Sequence, residues 1–388
     1  MFKRNVLAVS LTLAALCSAQ AAMADINGGG ATLPQPLYQT TGVLTTGFAA
    51  YIGVGSGNGK AAFLNNDYTK FVAGTTGKNV HWAGSDSKLS TTELSNYVSA
   101  HGAAWGPLIQ VPSVATSVAI PFNKTGTANV DLSVNQLCGV FSGRLNDWSQ
   151  ITGSGRTGAI NVVYRNESSG TTELFTRFLN AKCAETGTFA ITTNFASSYS
   201  GGLPAGAVPA VTSQGVMDAL NAAQGRITYM SPDYAATTLA GLSDATKVAK
   251  VAGVSPAPAN VSTAIAAVAV PAAANRANPN AWVPVFAATT SPTDPSVVAY
   301  PSTGYPILGF TNVIFSQCYV DGTQSTQVRD FFTRHYGVST NNDAAITANR
   351  FVPLPALWKT AIRNTFLTAS SAQSIGNTNV CNAIGRPL

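Results

Sequence analysis

Four short polar clusters in this 388-residue chain carry side chains that could hold an anion. The most specific is Arg165-Asn166-Glu167-Ser168-Ser169-Gly170-Thr171-Thr172-Glu173. A planar guanidinium presents donors that match a tetrahedral oxyanion. Ser169, Thr171 and the free N–H groups of a helix expected near Gly170 add donors at the positive end of a helix dipole. A second cluster is Gly28-Gly29-Gly30-Ala31-Thr32-Leu33-Pro34. Its glycines let a backbone approach a ligand, and Pro34 suits a first helical turn, with Thr32 close to the N-cap. Each cluster also has a plainer reading, as an ordinary turn or a capped helix start.

The third cluster, Gly53-Val54-Gly55-Ser56-Gly57-Asn58-Gly59-Lys60, invites comparison with a nucleotide-binding loop. The comparison fails, because Val54 stands where that loop needs glycine and Ala61 where it needs a hydroxyl. Val54 and Asn58 also exclude the nucleophile elbow around Ser56. What remains is a turn presenting the Ser56 hydroxyl and backbone donors. The fourth cluster is Ser85-Asp86-Ser87, directly after an apolar run.

The elements that must position these clusters alternate between strand and helix patterns. Strands are expected over Val80–Gly84, Val114–Phe122, Ile160–Tyr164 and Ile307–Phe315. Helices are expected over Glu173–Ala184, Gly215–Ala223 and Thr326–Tyr336. That alternation predicts α/β architecture with largely parallel sheets. Residues Val251–Ala281 read as a surface excursion with one Ala-rich helix ending near Pro271. The turn-rich Ser291–Pro301 reads as a crossing between domains.

Lys3 and Arg4, the apolar run Val6–Cys17 and Ala22-Met23-Ala24 together form an export signal, so the mature chain is expected to begin at Asp25. Leu16 before Cys17 argues against lipid attachment. Loss of residues 1–24 removes two of 22 cationic residues and none of 16 acidic ones, so the net charge falls from +6 to +4. No basic stripe suggests nucleic acid, and no later run suggests a membrane span. The mature length implies two domains. Its cysteines, Cys138, Cys183, Cys318 and Cys381, suggest two disulfides in an oxidising compartment. Three pairings are open, and pairing neighbours in sequence needs the fewest assumptions about topology. No CxxC occurs and His81, His101 and His335 are widely spaced, so no metal site or cofactor is expected.

The segment Asp25-Ile26-Asn27-Gly28-Gly29-Gly30-Ala31-Thr32-Leu33-Pro34 resembles the signature of the DING proteins, a branch of the periplasmic phosphate-binding proteins that serve ABC transporters. The resemblance spans nearly all of the mature chain. Gly139-Val140-Phe141-Ser142-Gly143-Arg144-Leu145-Asn146-Asp147-Trp148 is similar to the family's IFxGxxxxW segment, and Arg165-x-x-x-Ser169-Gly170-Thr171 to its phosphate loop. Arg226-Ile227-Thr228-Tyr229 departs from the usual GAIGY strand, outside the ligand loops. The resemblance implies a two-lobed, type II-like periplasmic binding protein with two crossing strands. Lobe I would take residues 25–115 and 301–388, and lobe II residues 116–300. It further implies a monomer, phosphate in the interlobe cleft, an ABC permease as partner and a periplasmic or secreted location. The implied ligand set is Thr32, Leu33, Ser56, Asp86, Arg165, Ser169, Gly170 and Thr171. The disulfides Cys138–Cys183 and Cys318–Cys381 would then each lie within one lobe.

Asp86 is the informative member of that set. An ionised carboxylate only accepts hydrogen bonds, so beside an anion it needs a ligand that carries a proton. Phosphate keeps one or two protons near neutral pH and sulfate none, so Asp86 is expected to reject sulfate. Ligands on both lobes are expected to favour closure. Two other functions fit the chain: a phosphomonoesterase, since Asp86-Ser87 faintly resembles the nucleophile dipeptide of alkaline phosphatases, and an extracellular adhesive or structural role.

Overall fold

The computed structural model describes residues 26–387. The export signal and its cleavage site therefore lie outside the described residues. Two six-stranded sheets organise the chain. The first runs Val352–Pro353, Leu108–Ser117, Leu308–Ser316, Trp82–Ser85, Gly28–Gly30 and Ile52–Gly53 in spatial order. The second runs Asp131–Leu132, Val248–Val251, Ile120–Asn123, Arg226–Thr228, Asn161–Arg165 and Val208–Ala210. Helices cover both, giving the α/β class read from the alternation.

The sheets are mixed rather than largely parallel. Gly28–Gly30 pairs in parallel with both its neighbours, and Asn161–Arg165 does the same. Leu308–Ser316 is antiparallel to both of its neighbours. The antiparallel pairs arise where the chain crosses between sheets. The expected strand Val114–Phe122 is two strands, Leu108–Ser117 in the first sheet and Ile120–Asn123 in the second. Val118 and Ala119 make the switch. Val118 N–H donates to Ile307 O at 2.8 Å, and Ala119 exchanges backbone bonds with Met230 at 2.8 and 3.0 Å. A continuous apolar run carries no mark of such a change, because both halves are buried.

The connection from Val251 back to Leu308 also differs from expectation. Helix Pro258–Ile265 ends before the expected Pro271. Ser117 Oγ donates to Pro256 O at 3.0 Å, Gln110 Nε2 to Asn280 Oδ1 at 3.1 Å and Trp358 Nε1 to Val268 O at 2.9 Å. Trp282 packs on Phe366 with ring centroids 5.1 Å apart. Residues 256–282 thus lie against the first sheet. Ser291–Pro301 forms a turn and the strand Val297–Ala299, which pairs in parallel with Val285–Ala287. Burial of Trp282 and Trp358 explains the placement, since each large ring gains about 2 kcal/mol or more by leaving water.

The glycines of Gly28–Gly30 serve packing rather than a ligand. A Cβ on Gly28 would stand 2.0 Å from the Trp82 indole, and one on Gly30 would stand 2.2 Å from Gly84 O. Trp82 in turn stacks on Phe315 at 5.4 Å with an interplanar angle of 2°. Cys138 is bonded to Cys183 and Cys318 to Cys381. The first bridge ties helices Val134–Ser142 and Gly170–Lys182, and the second ties the end of Leu308–Ser316 to the C-terminal segment.

Candidate anion-binding site

All four clusters converge where the two sheets face each other. Each cluster lies at the end of a parallel strand, where an α/β sheet offers a crevice to ligands. Thr32 and Leu33 follow Gly28–Gly30, Ser56 follows Ile52–Gly53, Asp86 follows Trp82–Ser85, and Arg165 ends Asn161–Arg165. Ser169, Gly170 and Thr171 begin the helix Gly170–Lys182. Thr32, Leu33, Ser56, Asp86, Arg165, Ser169 and Thr171 are all at most 4% exposed.

Contacts across the interface show how close the halves come. Thr171 Oγ1 donates to Asp86 Oδ2 at 3.2 Å. Thr32 Oγ1 lies 2.9 Å from Ser213 Oγ and accepts from Ser213 N–H at 3.2 Å. A Cβ on Gly170 would meet Ser56 Oγ at 2.4 Å and Asp86 Cβ at 2.6 Å. A Cβ on Gly55 would lie 3.0 Å from Ser168 O and 3.8 Å from Arg165 Nη2, and Gly55 has φ +89°. Only glycine meets both the space and the backbone angle there. The larger surface grooves lie elsewhere: one of about 440 Å³ lies beside Lys124 and Lys247, and one of about 530 Å³ beside Cys381.

Local folding fixes which way the hydroxyls point. Ser169 is the N-cap of Gly170–Lys182, and its Oγ accepts from Thr172 N–H at 3.2 Å. Ser56 Oγ accepts from Asp86 N–H at 3.1 Å. Thr32 Oγ1 accepts from Ser213 N–H. Each oxygen already receives a proton, so the Ser56 and Ser169 hydroxyl protons are available to donate to an anion, while Thr32 Oγ1 also shares a contact with Ser213 Oγ. Among the described residues the N–H groups of Leu33, Gly170 and Thr171 have no acceptor within the protein. These are free donors at a loop and at a helix start. The expected cap near Thr32 differs: the N-cap of the short helix Gln35–Gln39 is Pro34, with no side-chain cap, and Pro36 occupies the first turn.

Arg165 is not a free charge. Its Nε donates to Glu167 Oε1 at 2.8 Å, and Nη2 bonds the same oxygen. Thr212 N–H donates to Glu167 Oε1 as well, at 2.7 Å, while Oε2 has no partner. Fixed dipoles must therefore do most of the work of holding an anion here. Asp86, unlike the partly exposed Glu167, is a buried carboxylate. Burial pushes its carboxyl up to about 6, against the opposing pull of the nearby Thr311 hydroxyl, Thr171 and Arg165. Asp86 Oδ1 and the neighbouring Thr311 Oγ1 both lack a hydrogen-bond partner. An unpartnered, proton-seeking carboxylate oxygen inside a ring of donors can accept the proton of a ligand hydroxyl.

Sequence reasoning missed Ser213, Glu167 as the partner of Arg165, and Tyr229. Tyr229 Oη lies 2.7 Å from Thr172 Oγ1 and accepts from Arg165 N–H at 3.3 Å, tying the cation's strand to the helix start. Glu167 could have been found from its place two residues after Arg165 in one loop. Ser213 is far from Thr32 in sequence and carries no local signal.

Residues 18–333 match the model of the PBP superfamily domain. A solved DING protein is 69% identical, with a TM-score of 0.91, covering 94% of this chain and all of that one. The chain belongs to the PBP superfamily, in its DING branch. This DING protein is also similar to a high-affinity periplasmic phosphate-binding protein solved with phosphate. That protein is 74% identical, with a TM-score of 0.92, over 94% of this chain and 100% of that chain. A relative from Pseudomonas aeruginosa strain UCBPP-PA14, 75% identical over the full length of both chains, is called alkaline phosphatase L.

Proposed function

We propose that this DING protein binds inorganic phosphate with high affinity in the cleft between its two sheets, for delivery to an ABC permease from the periplasm or beyond it. One lobe is built on each sheet, with the first crossing at Ser117–Ile120 and the return near Val254–Pro258 rather than at residue 300, because residues 256–282 lie against the first sheet. The observation that carries the proposal is the pairing of oriented donors with the unpartnered acceptor Asp86 Oδ1. The N–H groups of Leu33, Gly170 and Thr171 can only donate and the hydroxyls of Ser56 and Ser169 have a proton to give, whereas ionised Asp86 Oδ1 can only accept. A tetrahedral oxyanion that still bears a proton fits that set, and the phosphate-bound relative supports the choice. Arg165 is aligned by Glu167 and supplies the site's cation.

The name of the Pseudomonas relative raises phosphomonoesterase activity as the competing reading. Ser87, the candidate nucleophile, has its Oγ 3.2 Å from Ser85 Oγ rather than beside a base. Ser113 does pair with a histidine, His335 Nε2, at 2.8 Å. That ring is held in the wrong tautomer for a base. Asn342 Nδ2 donates to Val43 O and faces His335 Nδ1, so the ring proton sits on Nε2 and points at Ser113. Burial also holds His335 down near 4. These groups support binding rather than turnover. Titration of phosphate-stripped protein with phosphate, together with assay of a phosphate monoester, tests the reading. Saturable one-to-one phosphate binding without hydrolysis is expected. Hydrolysis that disappears in Ser87→Ala would overturn it.

A further inference from the structure

Besides Ser213, another side chain outside the proposed ligands makes hydrogen bonds from one lobe to the other. Arg350 stands between helix Asp343–Ala348 and strand Val352–Pro353, the edge strand of the first sheet. Its Nη2 donates to Asp233 O at 3.0 Å and its Nη1 to Thr237 O at 3.1 Å. Asp233 and Thr237 follow strand Arg226–Thr228 of the second sheet, and the former lies in helix Pro232–Ala235. The backbone of Arg350 is held at φ +66°, a conformation that L side chains with a Cβ adopt only at a cost. A second Nη1 bond, to Ala348 O at 3.1 Å, aims the guanidinium across the gap. Asp233 is 7% exposed, and its Oδ2 has no partner, so a buried carboxyl faces the same region.

We infer that Arg350 is an interlobe clasp, a residue that sets phosphate affinity without touching phosphate. This rests on the phosphate-binding reading above. Both acceptors are main-chain carbonyls of the opposite lobe, so the bonds form only when the lobes are together. A contact made only in the closed state raises the closed population, and apparent affinity rises in proportion. The effect falls on release, because phosphate meets the open form before the clasp engages. The clasp differs in this from Ser213, whose partner Thr32 is itself a proposed ligand.

Arg350→Gly separates the clasp from a merely structural role. Glycine accepts φ +66° freely, so the variant is expected to unfold at the same or a higher temperature. The clasp requires the opposite trend in binding. Phosphate should dissociate about five- to twentyfold faster in stopped-flow fluorescence, with little change in the association rate, for two lost bonds from a charged donor. Arg350→Lys, which keeps the charge and one donor position, should recover part of the slow release. Release rates within about twofold of the parent in a stable Arg350→Gly protein overturn the clasp. Should the glycine variant fail to fold, parent-like release in Arg350→Lys and Arg350→Met does the same. Absence of phosphate binding by the parent would instead overturn the underlying functional reading.

Discussion

The two halves of the candidate site meet the same anion with different chemistry. The second-sheet half is a cation in a cage: Arg165 tied to Glu167, beside the capped start of helix Gly170–Lys182. The first-sheet half carries no cation among its proposed ligands. It offers the Leu33 N–H, the Thr32 and Ser56 hydroxyls, and Asp86. The difference separates two tasks. Attraction and orientation belong to the Arg165 side, whereas reading the ligand's protonation state belongs to the Asp86 side. Because Glu167 already balances Arg165, neither half relies on a large net positive field.

The comparison can be broken most forcefully at the cation. Arg165→Ala leaves the partly buried Glu167 with no cationic partner beside an arriving anion. Phosphate affinity should fall about 100- to 10,000-fold by calorimetry. Adding Glu167→Gln should restore part of the loss, and failure to do so would mean that Arg165 acts alone. Gly170→Ala attacks the meeting of the halves. Its Cβ would collide with Ser56 Oγ and Asp86 Cβ, both in the opposite lobe, so closure should be blocked. An affinity loss of about 10- to 100-fold is expected. The ligand-dependent decrease in scattering radius should also disappear.

A smaller effect sharpens the Asp86 side. Its carboxyl is raised from an ordinary 3.8 to about 6 by burial in the closed cleft, so its ionisation opposes closure of the ligand-free protein. The sign follows from linkage: the closed form binds the proton more tightly, so its share is greatest below about 4 and falls as pH rises through about 6. That penalty on the closed form is of the order of 3 kcal/mol at neutral pH. Ligand-free Asp86→Asn should therefore be more closed than the parent at pH 7 to 8 by X-ray scattering, with the difference vanishing near pH 4. Equal scattering radii across that range would contradict the burial argument. The smallest expected effect concerns salt. With Arg165 buried and balanced by Glu167, phosphate affinity should change by less than about threefold between about 0.02 and 0.5 M salt. A steep decline would show that an exposed positive field governs binding.

Much of this was legible because the chemistry is local. A helix start announces itself through Ser169, Gly170 and Thr171 in one run, and the Ser169 cap confirms why those residues stand together. The strand ends before Asp86 and at Arg165 were legible for the same reason, since each apolar run stops at a polar turn, whereas the short strands Gly28–Gly30 and Ile52–Gly53 were not expected. What was not legible depends on partners distant in sequence. The break at Val118–Ala119 is invisible in a run that is buried on both sides of it. The placement of residues 256–282 on the first sheet depends on Trp282 meeting Phe366. Ser213 and Arg350 reach across the cleft to residues more than a hundred positions away, Thr32 in one case and Asp233 and Thr237 in the other. Even the triple glycine misleads when read alone, because its need for small residues comes from Trp82 and Gly84 rather than from a ligand.

The division of labour stands or falls on the ratio of phosphate to sulfate affinity, measured side by side in the parent and in Asp86→Asn. The parent should bind phosphate at least about 1,000-fold more tightly than sulfate, because Asp86 Oδ1 would face an oxygen that has no proton to give. The amide can turn a donor toward that oxygen, so the ratio should fall by about 100-fold or more in the variant. An unchanged ratio would show that Asp86 does not read the ligand's proton and that selectivity resides elsewhere in the cleft.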